Sequence, residues 1–227
     1  MKKNTVVTTE DILLKLCHSV SDVLSSATGT NVSYSAMVQK INKTCLKPDL
    51  GCFVLFDGGF SGLVVINFTA PAALELYHTY MKNMGMPEEE LAIIHTSDDV
   101  ADVLGELMNQ LVGDFTSKIR KELKTNITQN QPKMLAINKQ VLLSVDTNLD
   151  RPQARRVTFS TENNNIFYLE LAMDKTEFIQ LEDFDIEEDV SPDSILEAER
   201  NRAQSNQANQ AQLADEAADD LLDELGI

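Results

Sequence analysis

The chain has 227 residues, of which 43% are hydrophobic, and this is enough for a core of ordinary composition. Its formal net charge of −17 is distributed unevenly along the chain. Residues 182–227 hold 15 acidic residues against 2 arginines, whereas residues 1–181 carry a net charge of only −4. This distribution argues against nucleic acid and anionic membranes as partners, because the acidic segment repels both and the rest of the chain has no basic stripe.

The first half of the chain predicts a helix followed by a β-hairpin. Thr8 or Thr9 caps the helix, whose apolar residues repeat with a helical period until Gly29 ends it. Residues 31–42 alternate weakly and predict a strand. Two β-rich runs follow, and residues 57–59 (DGG) between them tolerate a tight turn, so we predict a hairpin.

Three more helices are predicted from their start signals. A proline in the first turn indicates a second helix after Thr69 and a short third helix at Pro87. Thr96 or Ser97 then caps a long helix that runs to about Leu123.

Strands are predicted at 134–144, 157–160 and 166–173, with a turn at 163–165. Helices and antiparallel hairpins alternate without a regular βαβ period. The sequence therefore predicts an α+β fold in which an antiparallel sheet packs against long helices.

The character of the chain changes after Phe184, where acidic residues and a polar Gln/Asn-rich run replace the core-like pattern. We predict a folded domain at 1–182, a flexible linker at 183–213, and an amphipathic C-terminal helix at 214–227.

Neither a membrane span nor a disulfide or zinc site is predicted. No apolar run approaches the roughly 18 residues that a span needs, and the N-terminal segment lacks the apolar centre of a signal peptide, so we expect a cytoplasmic protein. Cys17, Cys45 and Cys52 are odd in number and lack CxxC spacing, and the three histidines are scattered. We expect buried thiols in a reducing compartment.

The polar side of the long predicted helix carries two acids and an amide in line. Asp102, Glu106 and Asn109 follow one another at i, i+4 and i+7, which places them within a sector of roughly 60°. A merely solvated face would explain this triplet as well. Gly105 and Gly113 flank it, however, and each costs about 1 kcal/mol relative to alanine, which indicates close packing or close approach.

These residues resemble the (Ser or Asp)-x3-Glu-x2-Asn motif of the CheC and CheX chemotaxis phosphatases, with Asp102, Glu106 and Asn109 at its three defined positions. The run GELMNQLVG is similar to the ExxNxxxG helix of that family. The first helix, the hairpin and the later strands also follow the family's order, so the resemblance covers about residues 8–180. It implies a CheC/CheX-like fold.

The resemblance also implies a substrate and a role for each residue. The substrate would be a phosphorylated response regulator of the CheY type in a two-component pathway, whose aspartyl phosphate is hydrolysed by water. Asn109 would orient that water, Glu106 would pair with the regulator's active-site lysine, and Asp102 would support docking. Magnesium would reside on the regulator, so we expect no cofactor or metal on this chain.

The first helix lacks a second Glu-x2-Asn motif. One site per chain is therefore expected, as in the CheX-like members, which pair as dimers, and a homodimer is implied in the same way.

The last nine residues, DDLLDELGI, resemble the CheY-binding C-terminal helix of the unrelated phosphatase CheZ. By this resemblance a regulator would contact four apolar and three acidic side chains, and the alternative is a solubilising acidic tail. The predicted contact residues are Asp219, Asp220, Leu221, Leu222, Asp223, Leu225 and Ile227.

Two rivals to the phosphatase stay open. The same face and tail could bind a response regulator without hydrolysing its phosphate, as an adaptor. Alternatively, the tail could recruit a component of a switch complex while the helix face is only solvated. A hydrolase with a Ser-His or Cys-His pair is disfavoured, because no nucleophile lies in a recognisable elbow.

Overall fold

The computed structural model describes residues 6–143, 152–174 and 177–179. The chain divides into two units, Met1–Gln180 and Leu181–Ile227, and every described residue belongs to the first. The predicted linker at 183–213 and the predicted helix at 214–227 lie outside the described residues, so both stay predictions.

The described residues form three α-helices, one 3-10 helix and twelve strands. The helices are α1 (Thr9–Thr28), α2 (Ala70–Asn83) and α3 (Asp98–Leu123), with the 3-10 helix at Glu88–Glu90. The strands are β1 (Val6–Thr8), β2 (Ser33–Tyr34), β3 (Gln39–Ile41), β4 (Thr44–Leu46), β5 (Leu50–Gly58), β6 (Gly62–Phe68), β7 (Ile127–Gln129), β8 (Lys133–Ala136), β9 (Val141–Leu143), β10 (Pro152–Ser160), β11 (Ile166–Asp174) and β12 (Glu177–Ile179).

An antiparallel sheet forms the centre of the fold. Its strand order is β2-β10-β11-β6-β5-β7, while β3 also pairs with β10 and β8 also pairs with β5. Phe68 of β6 lies opposite Leu50 of β5 and Phe167 of β11. Two small antiparallel sheets, β1-β12 and β4-β9, lie beside it. The predicted α+β fold is confirmed.

The helices cover one face of this sheet. Alternate residues of β5 and β6, among them Val54 and Ile66, belong to one core cluster with the apolar sides of α1, α2 and α3. The intervening residues Leu63 and Val65 point to the other face, where they pack against Leu46 of β4. Most of the core therefore lies between the sheet and the helices.

Local capping explains where the helices begin and end. At α1, Thr8 Oγ1 accepts a hydrogen bond from Asp11 N, and Asp11 Oδ2 accepts one from Thr8 N at 2.8 Å. The helix ends at Gly29, whose φ of 68° a glycine adopts without strain. Thr69 caps α2 and Ser97 caps α3. These predicted helix boundaries are confirmed.

Three strand or helix predictions need correction. The single strand predicted at 31–42 is two short strands, β2 and β3, joined by an irregular segment. The single strand predicted at 134–144 is also two, because β8 pairs with β5 whereas β9 leaves the central sheet to pair with β4. The short helix predicted at Pro87 is a 3-10 helix of three residues.

Candidate functional site

Helix α3 is anchored by its inner side. Ser97 Oγ accepts a hydrogen bond from Val100 N and starts the helix. The inner side chains are at most 1% exposed and pack in the core with α1, α2 and the sheet; they include Leu104, Leu107, Met108, Leu111 and Phe115. The backbone that carries the outer side chains is thereby fixed.

The outer side of α3 presents the predicted triplet. Asp102, Glu106 and Asn109 are all exposed and lie along about 10 Å of continuous helix. Within the described part of the chain, the side chains of Asp102 and Asn109 have neither a hydrogen-bond nor an ion-pair partner. We call Asp102, Glu106 and Asn109 the polar stripe.

Glu106 makes one side-chain hydrogen bond among the described residues. Its Oε1 accepts a hydrogen bond from Gln110 Nε2 at 3.0 Å. Gln110 is also exposed and lies one turn further along the helix. Gln110 was not among the predicted site residues, although its i+4 spacing from Glu106 is the spacing at which such side chains meet.

The two glycines beside the stripe are not required by packing within the described residues. A Cβ atom at Gly105 would lie 3.6 Å from Met134 Cγ, an ordinary contact, and one at Gly113 would meet no atom within 4 Å. The predicted close packing is therefore absent there. The other reason that the sequence suggested, close approach of a second molecule, stays a prediction.

A cleft of about 300 Å³ lies between α1 and α3 and is lined in part by Gln110, the residue that follows Asn109. In it, Lys118 Nζ lies 2.7 Å from Asp114 Oδ2 and 3.2 Å from Asp22 Oδ2. Burial alone would raise the pKa of the Asp114 carboxyl, but the ion pair with Lys118, together with Ser19 and Lys121, outweighs this effect, so that the pKa is lowered. The charge of Lys118 is thus paired with the protein's own acids.

Cys17, Cys52 and His78 lie in structural environments. Burial raises the pKa of the Cys17 and Cys52 thiols to about 12, so both are protonated at neutral pH. His78 Nε2 lies 2.7 Å from the carbonyl oxygen of Ala92, which is a structural contact. Within residues 6–143, 152–174 and 177–179, no group of three or more His, Cys, Asp or Glu side chains is arranged to hold a metal ion.

None of the described helices combines the length and the apolar character that crossing a membrane requires. The predicted tail contacts lie outside the described residues; they are Asp219, Asp220, Leu221, Leu222, Asp223, Leu225 and Ile227.

Comparison with protein families gives one match over nearly the whole sequence. The family described as "Protein of unknown function (DUF3334)" matches residues 3–227. The chain belongs to the DUF3334 family. No curated protein matches this DUF3334 chain.

Solved structures show which fold this DUF3334 member has. It is similar to the chemotaxis protein CheX from Desulfovibrio desulfuricans, with 17% identity, a TM-score of 0.58, and coverage of 72% of this chain and 99% of that one. It is also similar to FliY from Thermotoga maritima, with 18% identity, a TM-score of 0.52, and coverage of 75% and 92%.

A third similar structure is the CheX-CheY-BeF3-Mg complex from Borrelia burgdorferi, with 17% identity, a TM-score of 0.51, and coverage of 73% and 99%. At these identities the similarity concerns the fold. The predicted CheC/CheX-like fold is confirmed.

Proposed function

We propose that this protein accelerates the hydrolysis of the aspartyl phosphate on a CheY-type response regulator. The observation that carries the proposal is the polar stripe. Asn109 is exposed, has no hydrogen-bond partner among the described residues, and follows Glu106 by three residues on a helix whose other side is fixed in the core. The fold adds support, because a CheX of this fold was solved in complex with CheY, BeF3 and Mg²⁺.

The chemistry of the substrate suits an amide rather than a strong base. Attack of water on phosphorus forms one P–O bond and breaks the bond to the aspartyl oxygen, which leaves as a carboxylate. The water's proton passes to the released phosphate. Because the leaving group is good, the main task is to hold the water in line. The Asn109 carboxamide can accept a hydrogen bond from this water and donate another to an oxygen, without titrating.

Glu106 has the complementary task of alignment. Its carboxylate would pair with a lysine in the regulator's active site and set the register of the two proteins. Gln110 already holds one carboxylate oxygen in place. Asp102 lies one turn before Glu106 and adds negative charge on the same side. Magnesium belongs to the regulator in this proposal, and this chain supplies no cofactor.

The C-terminal residues have a separate place in the proposal. We infer from the sequence that residues 219–227 bind the same regulator and raise its concentration near the polar stripe. Deleting these nine residues is expected to raise the KM for the phosphorylated regulator while leaving kcat unchanged. A tail that only solubilises would leave both constants as they are.

The decisive experiment follows the decay of a phosphorylated CheY-type regulator with magnesium, alone and with each variant. Asn109→Ala is expected to lower kcat by on the order of 10- to 100-fold, because the water loses its orientation. Asn42→Ala is the matched control, since Asn42 is exposed in the bend after β3, and β3 pairs with β10 at the end of the sheet away from β5, β7 and β8, the strands that α3 contacts. Binding without acceleration by the unmodified protein would refute the phosphatase and support the adaptor.

A further inference from the structure

The segment between α2 and α3 exposes an unusual number of large hydrophobic side chains. Single exposed hydrophobic residues are common on protein surfaces, but contiguous ones mark interaction sites. Within residues 84–94 four such side chains are exposed: Met84 at 69%, Met86 at 36%, Ile93 at 82% and Ile94 at 58%.

This segment is held firmly by α2. Leu91 is buried at 7% exposure. On Ala92, the backbone N–H donates to Tyr77 Oη at 3.2 Å, and the carbonyl oxygen lies 2.7 Å from His78 Nε2. Both side chains come from α2, and Tyr77 is fully buried. Ile93 and Ile94 therefore follow a fixed point of the backbone.

The same two isoleucines lead directly into α3. The carbonyl oxygen of Ile94 accepts a hydrogen bond from Ser97 N at 3.1 Å, and Ser97 caps the helix. Asp98 then precedes Asp102 by one turn and is exposed. The chain thus presents the two isoleucines first, then Asp98 and Asp102 at the N-terminal end of α3, and then the rest of the polar stripe.

We propose that Ile93 and Ile94 form an apolar anchor for the response regulator that docks on the polar stripe. The identity of this occupant rests on the proposed function. We choose the regulator as occupant because Ile93 and Ile94 lead directly into the helix that carries the stripe, so that a protein centred on Glu106 and Asn109 would extend towards them. The order of apolar and acidic residues fits a partner on which a hydrophobic patch borders a basic side chain.

The anchor is expected to act on binding rather than on chemistry. Ile93 and Ile94 contact the regulator equally before and during phosphate transfer to water, since neither is near the reacting atoms. Loss of such uniform binding raises KM and leaves kcat unchanged. Its contribution is also insensitive to salt, whereas the pairing of Glu106 with a lysine is screened. These two readouts separate the anchor from the stripe.

The test compares the double variant Ile93→Ser/Ile94→Ser with Leu142→Ser. Leu142 is 54% exposed but lies on β9, beside the sheet face opposite the helices, and is the control for loss of a surface hydrophobic residue. The full-length proteins bind a BeF3-activated CheY-type regulator and hydrolyse the phosphorylated form. We expect Kd and KM to rise at least 10-fold in the double variant and less than twofold in the control.

Each outcome decides between the proposals. A double variant with unchanged Kd and an intact thermal transition overturns the anchor and leaves the phosphatase. If the double variant binds a regulator more weakly and the unmodified protein binds but does not dephosphorylate that regulator, the anchor is supported and the phosphatase is overturned. Failure of the unmodified protein to bind any CheY-type regulator overturns both.

Discussion

The Glu106 carboxylate accepts a hydrogen bond from the side-chain amide of Gln110, one helical turn away, with 3.0 Å between Oε1 and Nε2. Gln110→Ala should weaken regulator binding about twofold, because an exposed pair at this spacing contributes only a few tenths of a kcal/mol. Titration of the BeF3-activated regulator measures the change. In a Glu106→Ala background the same substitution should have no effect, and an undiminished effect there would show that Gln110 acts on its own.

Gly113→Ala is expected to change stability and binding in opposite directions. Its added Cβ meets no atom within 4 Å, so the helix should gain about 1 kcal/mol of stability. The same methyl group lies one turn beyond Asn109 and should hinder a docked regulator, raising Kd. Urea denaturation and regulator titration measure the two effects. A stabilised variant with unchanged Kd would show that no partner approaches this part of α3 closely.

The turn between β10 and β11 is held by one carboxylate of α2. Glu75 accepts hydrogen bonds from Asn163 N at 3.1 Å, Asn163 Nδ2 at 3.0 Å and Asn165 Nδ2 at 2.7 Å, and a further one from Thr161 Oγ1. Glu75→Ala should lower the free energy of unfolding by about 2 kcal/mol, since these donors lose a charged acceptor.

Urea denaturation measures this loss, and Glu75→Gln is the matched control because it keeps one acceptor oxygen. A phosphatase rate per folded molecule that fell with Glu75→Ala would contradict the assignment of the site to α3.

The buried thiols predict an alkaline limit to stability. The pKa of Cys17 and of Cys52 is raised from about 9.0 to about 12 by burial, so the unfolded chain loses these protons at a lower pH than the folded protein does. Their contribution to stability is constant below pH 9 and declines as the pH rises from 9 towards 12. The urea midpoint followed over pH 8 to 11 should show this decline.

Two controls belong to the thiol prediction. The alkaline decline should be smaller in Cys52→Ala, after allowing for the loss that the cavity causes at pH 8. Native protein at pH 8 should react with a thiol reagent at Cys17 and Cys52 only as fast as it unfolds. Rapid labelling of either residue would contradict its burial.

Helix boundaries and the polar stripe were predictable because each depends on local chemistry. A side-chain acceptor at Thr8 or Ser97, a left-handed glycine at Gly29 and an i, i+4, i+7 spacing all act within one or two turns. The hairpin between β5 and β6 is local in the same way.

What escaped prediction depends on distant partners. The three residues of β4 form a strand only because β9 comes to lie beside them, and the split between β8 and β9 reflects two different sheets. The backbone of Ala92 is held by the side chains of His78 and Tyr77, which lie 14 and 15 positions earlier in the chain. No sequence pattern indicates such contacts. The exposure of Ile93 and Ile94 could not be predicted for the same reason, since only the fold distinguishes an exposed isoleucine from a buried one.

The inner side of α3 has a consequence for how signalling would be controlled. Leu104, Leu107 and Leu111 are at most 1% exposed, so their packing holds in place the helix that carries the polar stripe on its reverse side. On the proposed function, such a site would need no rearrangement to become active. The lifetime of the phosphorylated signal would then scale inversely with the number of copies of this protein, and a cell would set the duration of its response through expression and turnover.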